Sequence, residues 1–555
     1  MFGRRVGRPS SAPDAPATPS VTSDSPIRVD VTPREAYEQR PRLFAALETA
    51  FPVKFQVVGS GNADAAIVFA TRAASSEVVS GPRLTLLGDA ETDQPFGAIA
   101  FTDSSSVPRP FRGRTLTDSS TGQRLPGTYD DWGVVLATSP SGPVWMARAD
   151  GQFVAASWPE ELGSGATLRE QLTVGRFIGL LPLAHFLREL SAAASWEQPE
   201  SKACFVFDDP NLHWWSYGYL DYRKLAAHAE AHDYRVTAAT IPLDQWYIHR
   251  ATARFLREGT SRVSFAIHGN NHTRHELGRV DDSDRASTLA AQAMERASAV
   301  HRAGAEIGPV MVPPHGVCSV AMLEGCLRAG FDALCTEWPY WWLAEADATS
   351  ALSGWQPLDR LAGLPVIPRL HVVASDRHDM PFRAFLGQPL VLYAHHTDLK
   401  DGLDLLADRA DDVRALGVNS WQSLRDIATD VFSAYRFGEN MEFTLYSQKA
   451  RIAVPEGVSH ARFVRVGHEP PETTLRLEIR DAGGLREIVH GEAAAVDAGE
   501  ITVTLRGTPF AASTRGGWPL RGAVRRLLTE SRDRATPFSS RIQARASRRM
   551  AASAQ

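Results

Sequence analysis

Seven short apolar runs rich in β-forming residues punctuate the middle of the chain: Ala203–Phe207, Val236–Ile241, Val263–Ile267, Val310–Val312, Ala333–Thr336, Val366–Leu370 and Leu390–Ala394. Runs of this length bounded by turn residues predict strands buried on both faces. Between them Tyr222–His232, Arg250–Glu258, Arg285–Ala303 and Ala321–Ala329 carry helical spacing, and Leu403–Leu416 and Ser420–Ala434 supply closing helices. Seven β-α alternations predict a barrel more than an open sheet.

The flanks have a different rhythm. Residues 41–195 read as an α/β accessory domain, with a helix over Arg42–Phe51 and strands at Ala65–Ala70, Arg83–Leu87, Gly133–Ala137 and Val144–Ala147. Leu168–Leu190 is helical in pattern, and the polar stretch Thr115–Asp131 reads as a long loop. From about Arg436 the period falls to two, in Glu442–Tyr446, Ala461–Arg465, Thr474–Glu478 and Ile501–Leu505. Alternation with Gly and Pro turns predicts a small antiparallel β-sandwich. The expected order is a disordered leader (1–40), the α/β domain (41–195), the barrel (196–434), the sandwich (435–510) and a basic, disordered tail (511–555).

Composition narrows the class. A chain of 555 residues exceeds one ordinary core, and 43% hydrophobic with 22% charged residues is that of a soluble globular protein. The net charge of -5 predicts no general affinity for nucleic acid. Cys204, Cys318, Cys326 and Cys335 form neither a metal pattern nor a disulfide framework and read as reduced, buried thiols. Met1–Ser25 has arginines but no apolar segment behind them, and no stretch is long enough to span a membrane. The expected location is therefore the cytoplasm, with export by another route left open.

Three polar clusters each follow a central strand. Asp208-Asp209 follows Ala203–Phe207, His268-Gly-Asn-Asn-His272 follows Val263–Ile267, and Pro313-Pro314-His315-Gly316 follows Val310–Val312. Polar groups at the ends of parallel strands converge on one rim. One carboxylate and two neutral imidazoles make a three-ligand set with positions left for water, as in catalytic zinc sites. The carboxylate beside that ligand is placed to act as a general base in metal-assisted hydrolysis. Each cluster alone has a plainer reading as a turn cap, a pair of helix-face histidines or a tight turn. Their order, each after a β-run, favours the metal site.

Over Ala203–Trp421 these residues resemble the polysaccharide deacetylases of the NodB-homology type, carbohydrate esterase family 4. Val206-Phe207-Asp208-Asp209 is similar to the family's Thr-Phe-Asp-Asp motif, which implies Asp208 as catalytic base and Asp209 as metal ligand. His268 and His272 match the family's His-x-x-x-His metal pair. Pro313-Pro314-His315-Gly316 resembles the Arg-x-Pro-x-Gly groove motif, and Glu337-Trp338 the Asp-Trp groove pair. Leu392-Tyr393-Ala394-His395-His396 resembles the closing Leu-x-His, whose histidine is the general acid. Either His395 or His396 fits that role; strand alternation puts Val391, Tyr393 and His395 on one face and favours His395.

The resemblance implies a distorted (β/α)7 barrel and a divalent metal, Zn2+ by ligand type. It implies a hydrolase of non-peptide carbon–nitrogen bonds that removes N-acetyl or O-acetyl groups from an amino-sugar polysaccharide or oligosaccharide. One departure matters: the motif arginine is replaced by Val312. Arg369, at the end of another strand, is a candidate substitute, a surface arginine being the alternative reading. Pro313, Pro314 and His315 would line the groove. Trp214 and Trp338 belong to an aromatic cluster suited to stacking on sugar rings, or equally to packing under a loop. Two other classes stay open: a metal-dependent hydrolase of another small carbon–nitrogen bond, and a non-catalytic carbohydrate-binding protein.

Overall fold

Near-unbroken burial marks seven strands: β1 (Lys202–Asp208), β2 (Val236–Thr240), β3 (Val263–His268), β4 (Ile307–Val312), β5 (Ala333–Glu337), β6 (Leu364–His371) and β7 (Leu390–Ala394). They belong to a computed structural model that describes residues 26–58, 62–71, 81–88, 94–129, 131–259, 262–343, 350–373, 375–465, 476–481, 483–505 and 520–553. All seven run parallel in chain order. β1 pairs with β2 through Phe205↔Val236 and with β7 through Phe207↔Ala394, which closes the ring and leaves no free edge. The α/β barrel expected from the seven alternations is thus present.

Alternation along the strands divides two layers. Cys204, Val206, Ala266, Val310, Val312, Cys335, Ile367 and Val391 share the inner core. Phe205, Phe207, Val236 and Leu392 face outward into a second core. The outer layer is formed by helices α1 (Tyr222–Ala231), α2 (Arg250–Gly259), α3 (Ser283–Arg302), α4 (Val320–Ala329), α5 (Met380–Phe385) and α6 (Asp404–Ala415). Because side chains alternate with period two, the inner phase carries Asp208, His268, Glu337 and Arg369 toward the barrel axis at the C-terminal rim. All four cysteines are free and buried.

The chain forms two compact units. One comprises residues 1–107, 113–160 and 177–194; the barrel unit takes 108–112, 161–176 and 195–555. The first unit holds a nine-stranded mixed sheet running from Val53–Val57 at one edge to Thr115–Thr121 at the other. Within the barrel unit, residues from Phe432 to Leu505, joined by the short strand Trp196–Glu197, make sheets of five and four strands around Phe443, Ile452, Phe463, Leu477 and Val503. One pair of that sandwich, Asn440–Leu445 with His460–Arg465, is parallel rather than antiparallel.

Four local expectations are corrected. The stretch before residue 41 includes strand Ile27–Thr32 and helix Arg34–Glu38; Ile27, Val29 and Val31 are fully buried, an alternation that outweighs the polar leader behind it. Thr115–Thr121 is a strand, not a loop. Its buried Asp118 accepts hydrogen bonds from the backbone N–H groups of Phe177 (2.7 Å) and Ile178 (2.8 Å), so a polar residue occupies a core position and masks the pattern. Ser420–Ala434 holds a short strand, a turn of helix at Leu424–Ile427 and the start of strand Phe432–Phe437. The expected solvated tail contains helix α7, Leu520–Ser553. Among the described residues no helix is long and apolar enough to cross a membrane.

Candidate metal centre

Asp209, His268 and His272 meet at the C-terminal rim. Asp209 Oδ1 lies 3.7 Å from His268 Nε2 and 3.2 Å from His272 Nε2, and one ligand atom from each residue falls within 4.8 Å of the others. β1 ends at Asp208, so Asp209 is the first residue of the turn, and its φ of 80° aims its carboxylate across the rim. His268 is the last residue of β3 and 2% exposed. Its Nδ1 lies 2.9 Å from the Val312 carbonyl, the bond that would keep the proton on Nδ1 and present Nε2 as an acceptor.

The loop carrying His272 is fastened by Glu276. One of its oxygens accepts the backbone N–H groups of Asn270 (2.7 Å), Asn271 (3.0 Å) and His272 (2.9 Å). Asn270, fully buried, donates to Gln292 and accepts from Arg296. Gly269 adopts φ 63°, and a Cβ there would lie 2.5 Å from Glu276 Oε1 and 2.6 Å from Pro314 Cγ; only glycine fits.

The donor set fits a divalent ion. Asp209 Oδ1 is buried with no hydrogen-bond partner, the state of an acceptor waiting for a cation. Burial opposes ionisation of Asp209, but the facing imidazoles of His268 and His272 outweigh it and hold the carboxyl below its usual range. Burial and neighbouring His268 push His272 down to about 3, so its ring is neutral at pH 7 and able to bind metal.

Asp208 is 3% exposed and gripped by an arginine on β6, two strands round the ring. Arg369 Nη1 donates to both carboxylate oxygens, at 3.1 and 2.9 Å, and its guanidinium lies 4.1 Å from the centroid of the Tyr393 ring. Arg369 Nη2 is also 3.8 Å from Glu337 Oε1. The arginine absent at Val312 thus has a counterpart on β6, two strands away.

His395 and His396 differ sharply. His395 follows β7 and is partly exposed; its backbone N–H donates to Asp398 Oδ2 at 2.8 Å. With His371 it gives a second group of metal-capable side chains, His371–His395–Asp398. His396 is packed beneath an aromatic loop, 5.4 Å from the Tyr217 ring and 6.1 Å from Tyr219, where a Cβ on Gly218 would strike its imidazole. Burial lowers its pKa.

The groove residues are distributed unevenly. Pro313 and Pro314 are buried, Pro314 against Gly269, while His315 is exposed with its ring 5.6 Å from that of His272. Trp214 is 53% exposed and lies 4.6 Å from the His249 ring. Trp338 is half-buried, 5.2 Å from the Arg169 guanidinium. Among the described residues neither tryptophan has a ring contact with the triad.

Sequence reasoning missed the helix at the rim. Arg526 of α7 makes two bonds to Asp244, at 3.2 and 2.7 Å. Glu530 pairs with His213 at 2.8 Å, and Asp533 accepts from the Tyr217 hydroxyl at 2.8 Å. Arg525 donates to the carbonyls of Asn271 and His272. These anchors lie on the segments that follow β1, β2 and β3, the same rim that carries the triad. The Arg526 and Glu530 spacing was visible; their partners, almost three hundred residues upstream, were not.

No protein-family model matches the chain, and no curated protein does. Among solved structures the chain is similar to a family 4 carbohydrate esterase from Streptomyces lividans, at 12% identity and a TM-score of 0.27, over 41% of this chain and 94% of that one. It is also similar to the Xyl-CE4 domain of a multidomain xylanase from the hindgut metagenome of Trinervitermes trinervoides (11%, TM-score 0.25, 41% and 89%). A further match is a pseudoenzyme of the same esterase family from Bacillus anthracis (8%, TM-score 0.24, 41% and 69%). Likeness at this level adds nothing to the assignment of the site, which rests on the residues themselves.

Proposed function

We propose that the protein is a metal-dependent hydrolase that removes acetyl groups from an acetamido-bearing carbohydrate. The observation that carries this reading is a buried, unpartnered Asp209 oxygen facing the imidazoles of His268 and His272, next in sequence to an arginine-held aspartate. Asp209, His268 and His272 would hold the ion, zinc by donor set. Bound there, it would acidify a water molecule and polarise the acyl carbonyl.

The remaining steps belong to the chain's own side chains. Asp208 accepts the proton of the attacking water, and Arg369 fixes its carboxylate in orientation. His395, the less buried of the adjacent histidines, delivers a proton to the departing nitrogen; His396 serves the packing of Tyr217 and Tyr219. His315 and Pro314 form the wall beside His272.

One observation favours a second reading. Helix α7 is anchored to three segments of the rim that carries the triad, which would suit a short acylated molecule or a chain end over the interior of a long polymer. Hydrolysis of another small carbon–nitrogen bond is that alternative.

The test is metal content by elemental analysis, followed by acetate release from N-acetylglucosamine oligomers. About one ion per chain, lost in His268→Ala/His272→Ala, is expected. Asp208→Asn should keep the ion and lose about 10²–10⁴-fold in kcat. A wild-type protein that takes up no ion on reconstitution refutes the hydrolase reading.

A further inference from the structure

Helix α7 is folded with its polarity reversed. Its charged side chains Arg526, Glu530 and Asp533 are buried against the barrel rim, at 4%, 8% and 7% exposure. Leu520, Val524, Leu527 and Leu528 point to solvent, at 81%, 52%, 46% and 68%. Their spacing of i, i+4, i+7 and i+8 makes one stripe over the first nine residues of the helix. A helix that needed only the barrel would bury the leucines and expose the arginines; an apolar stripe left outside calls for a partner.

Charge names the partner. Leu520–Ser553 contains nine arginines against Glu530 and Asp533, a balance of 9 − 2 = +7, within a chain whose net charge is -5. Arg521 and Arg532 are exposed, and helical spacing sets them along one flank of the stripe. An apolar stripe bordered by arginines is the form of a helix that lies in a lipid headgroup region. Exposed aromatics adjoin its anchors. Trp246 (56% exposed) and Tyr247 (45%) lie 5.1 and 6.0 Å from the ring of His213, the residue that bonds Glu530. Amphipathic rings of this kind settle at membrane–water boundaries. A second copy of the chain is the poorer occupant, since it would set one strongly cationic helix against another.

We infer that α7 docks the protein onto an anionic lipid surface, with Leu520, Val524, Leu527 and Leu528 entering the headgroup layer and the flanking arginines meeting lipid phosphates. The helix lies on the bilayer and does not span it. The docking is independent of the metal reading, because none of these four apolar residues touches the triad.

The experiment is co-sedimentation of the full chain with vesicles of phosphatidylcholine alone and of phosphatidylcholine mixed with phosphatidylglycerol, at low and raised salt. Binding to the anionic vesicles only, weakened by salt, is expected. Val524→Asp/Leu528→Asp and Arg521→Glu/Arg532→Glu should each reduce it about tenfold or more. Both pairs replace exposed side chains, and a thermal melt matching wild type shows that the fold is intact. Equal partitioning of wild type on both vesicle types, or unchanged binding by both variants, overturns the inference. Concentration-dependent self-association abolished by Val524→Asp/Leu528→Asp, without vesicle binding, overturns it in favour of a second copy.

Discussion

The Arg369–Asp208 pair is buried on both sides, and that fixes what its loss would do. Removing the guanidinium leaves a carboxylate with 3% exposure and no compensating charge, an expected cost of about 3–5 kcal/mol. Arg369→Ala should therefore lower the urea midpoint and kcat together. Arg369→Lys keeps the charge but has one nitrogen where Arg369 sets Nη1 on Asp208 and Nη2 toward Glu337, and should recover only part of either loss. An Arg369→Ala protein with wild-type stability would show that the pair holds nothing. Glu276 makes a different prediction. It touches no metal ligand side chain, yet its carboxylate gathers three consecutive N–H groups of the His272 loop. Glu276→Gln should weaken zinc about 10–100-fold in a chelator competition while circular dichroism stays unchanged. The triad was legible in the sequence because each ligand follows a strand. Glu276 was not, since a carboxylate that caps its own loop leaves no periodic trace.

At the scale of elements, the strands were the legible part, and α7 was the part that misled. Continuous apolar runs have one inexpensive fate, burial on both faces, so β1 to β7 could be read directly. In α7 the buried positions are ionic while Leu520, Val524, Leu527 and Leu528 are exposed, which inverts the signal that periodicity detects. Its docking should depend on pH. Burial opposes the charging of His213, but Glu530 and the Asp244 carbonyl outweigh it and raise its pKa above the ordinary 6.5. Burial likewise opposes ionisation of Glu530, but His213 and Arg534 outweigh it and pull its pKa from 4.5 down to about 2. The raised imidazole stabilises docking fully below its ordinary value and loses that contribution as pH rises through the raised one. The depressed carboxyl contributes fully above its ordinary value and loses it as pH falls toward about 2. Arg526 with Asp244, and Arg534 with Glu530, complete the charged groups facing this pair. Amide exchange in α7, corrected for intrinsic rates, should show greatest protection between the two ordinary values and a decline on the alkaline side. His213→Gln should flatten the alkaline limb; a limb that persists assigns the dependence elsewhere.

For the molecule as a whole, binding of the proposed ion would be linked to folding, because Asp209, His268 and His272 come from the ends of β1 and β3 and from the loop beyond β3. No such cluster exists in the unfolded chain, so an ion bound only to the folded barrel stabilises it by about 2.7 kcal/mol at a hundredfold excess over Kd. For a unit of this size each kcal/mol raises Tm by about 1 °C. Both groups of side chains able to hold an ion, Asp209–His268–His272 and His371–His395–Asp398, belong to the barrel unit among the described residues. Calorimetry with zinc and then with chelator should consequently move the barrel's transition and leave that of the mixed-sheet unit in place. In His268→Ala/His272→Ala the shift should vanish. A shift that survives this double substitution but disappears in His371→Ala would place the ion on the β6–β7 side of the rim. The ion would then sit on His395 itself, taking away the lone pair that has to carry a proton, and the hydrolytic assignment of that histidine would fall with it.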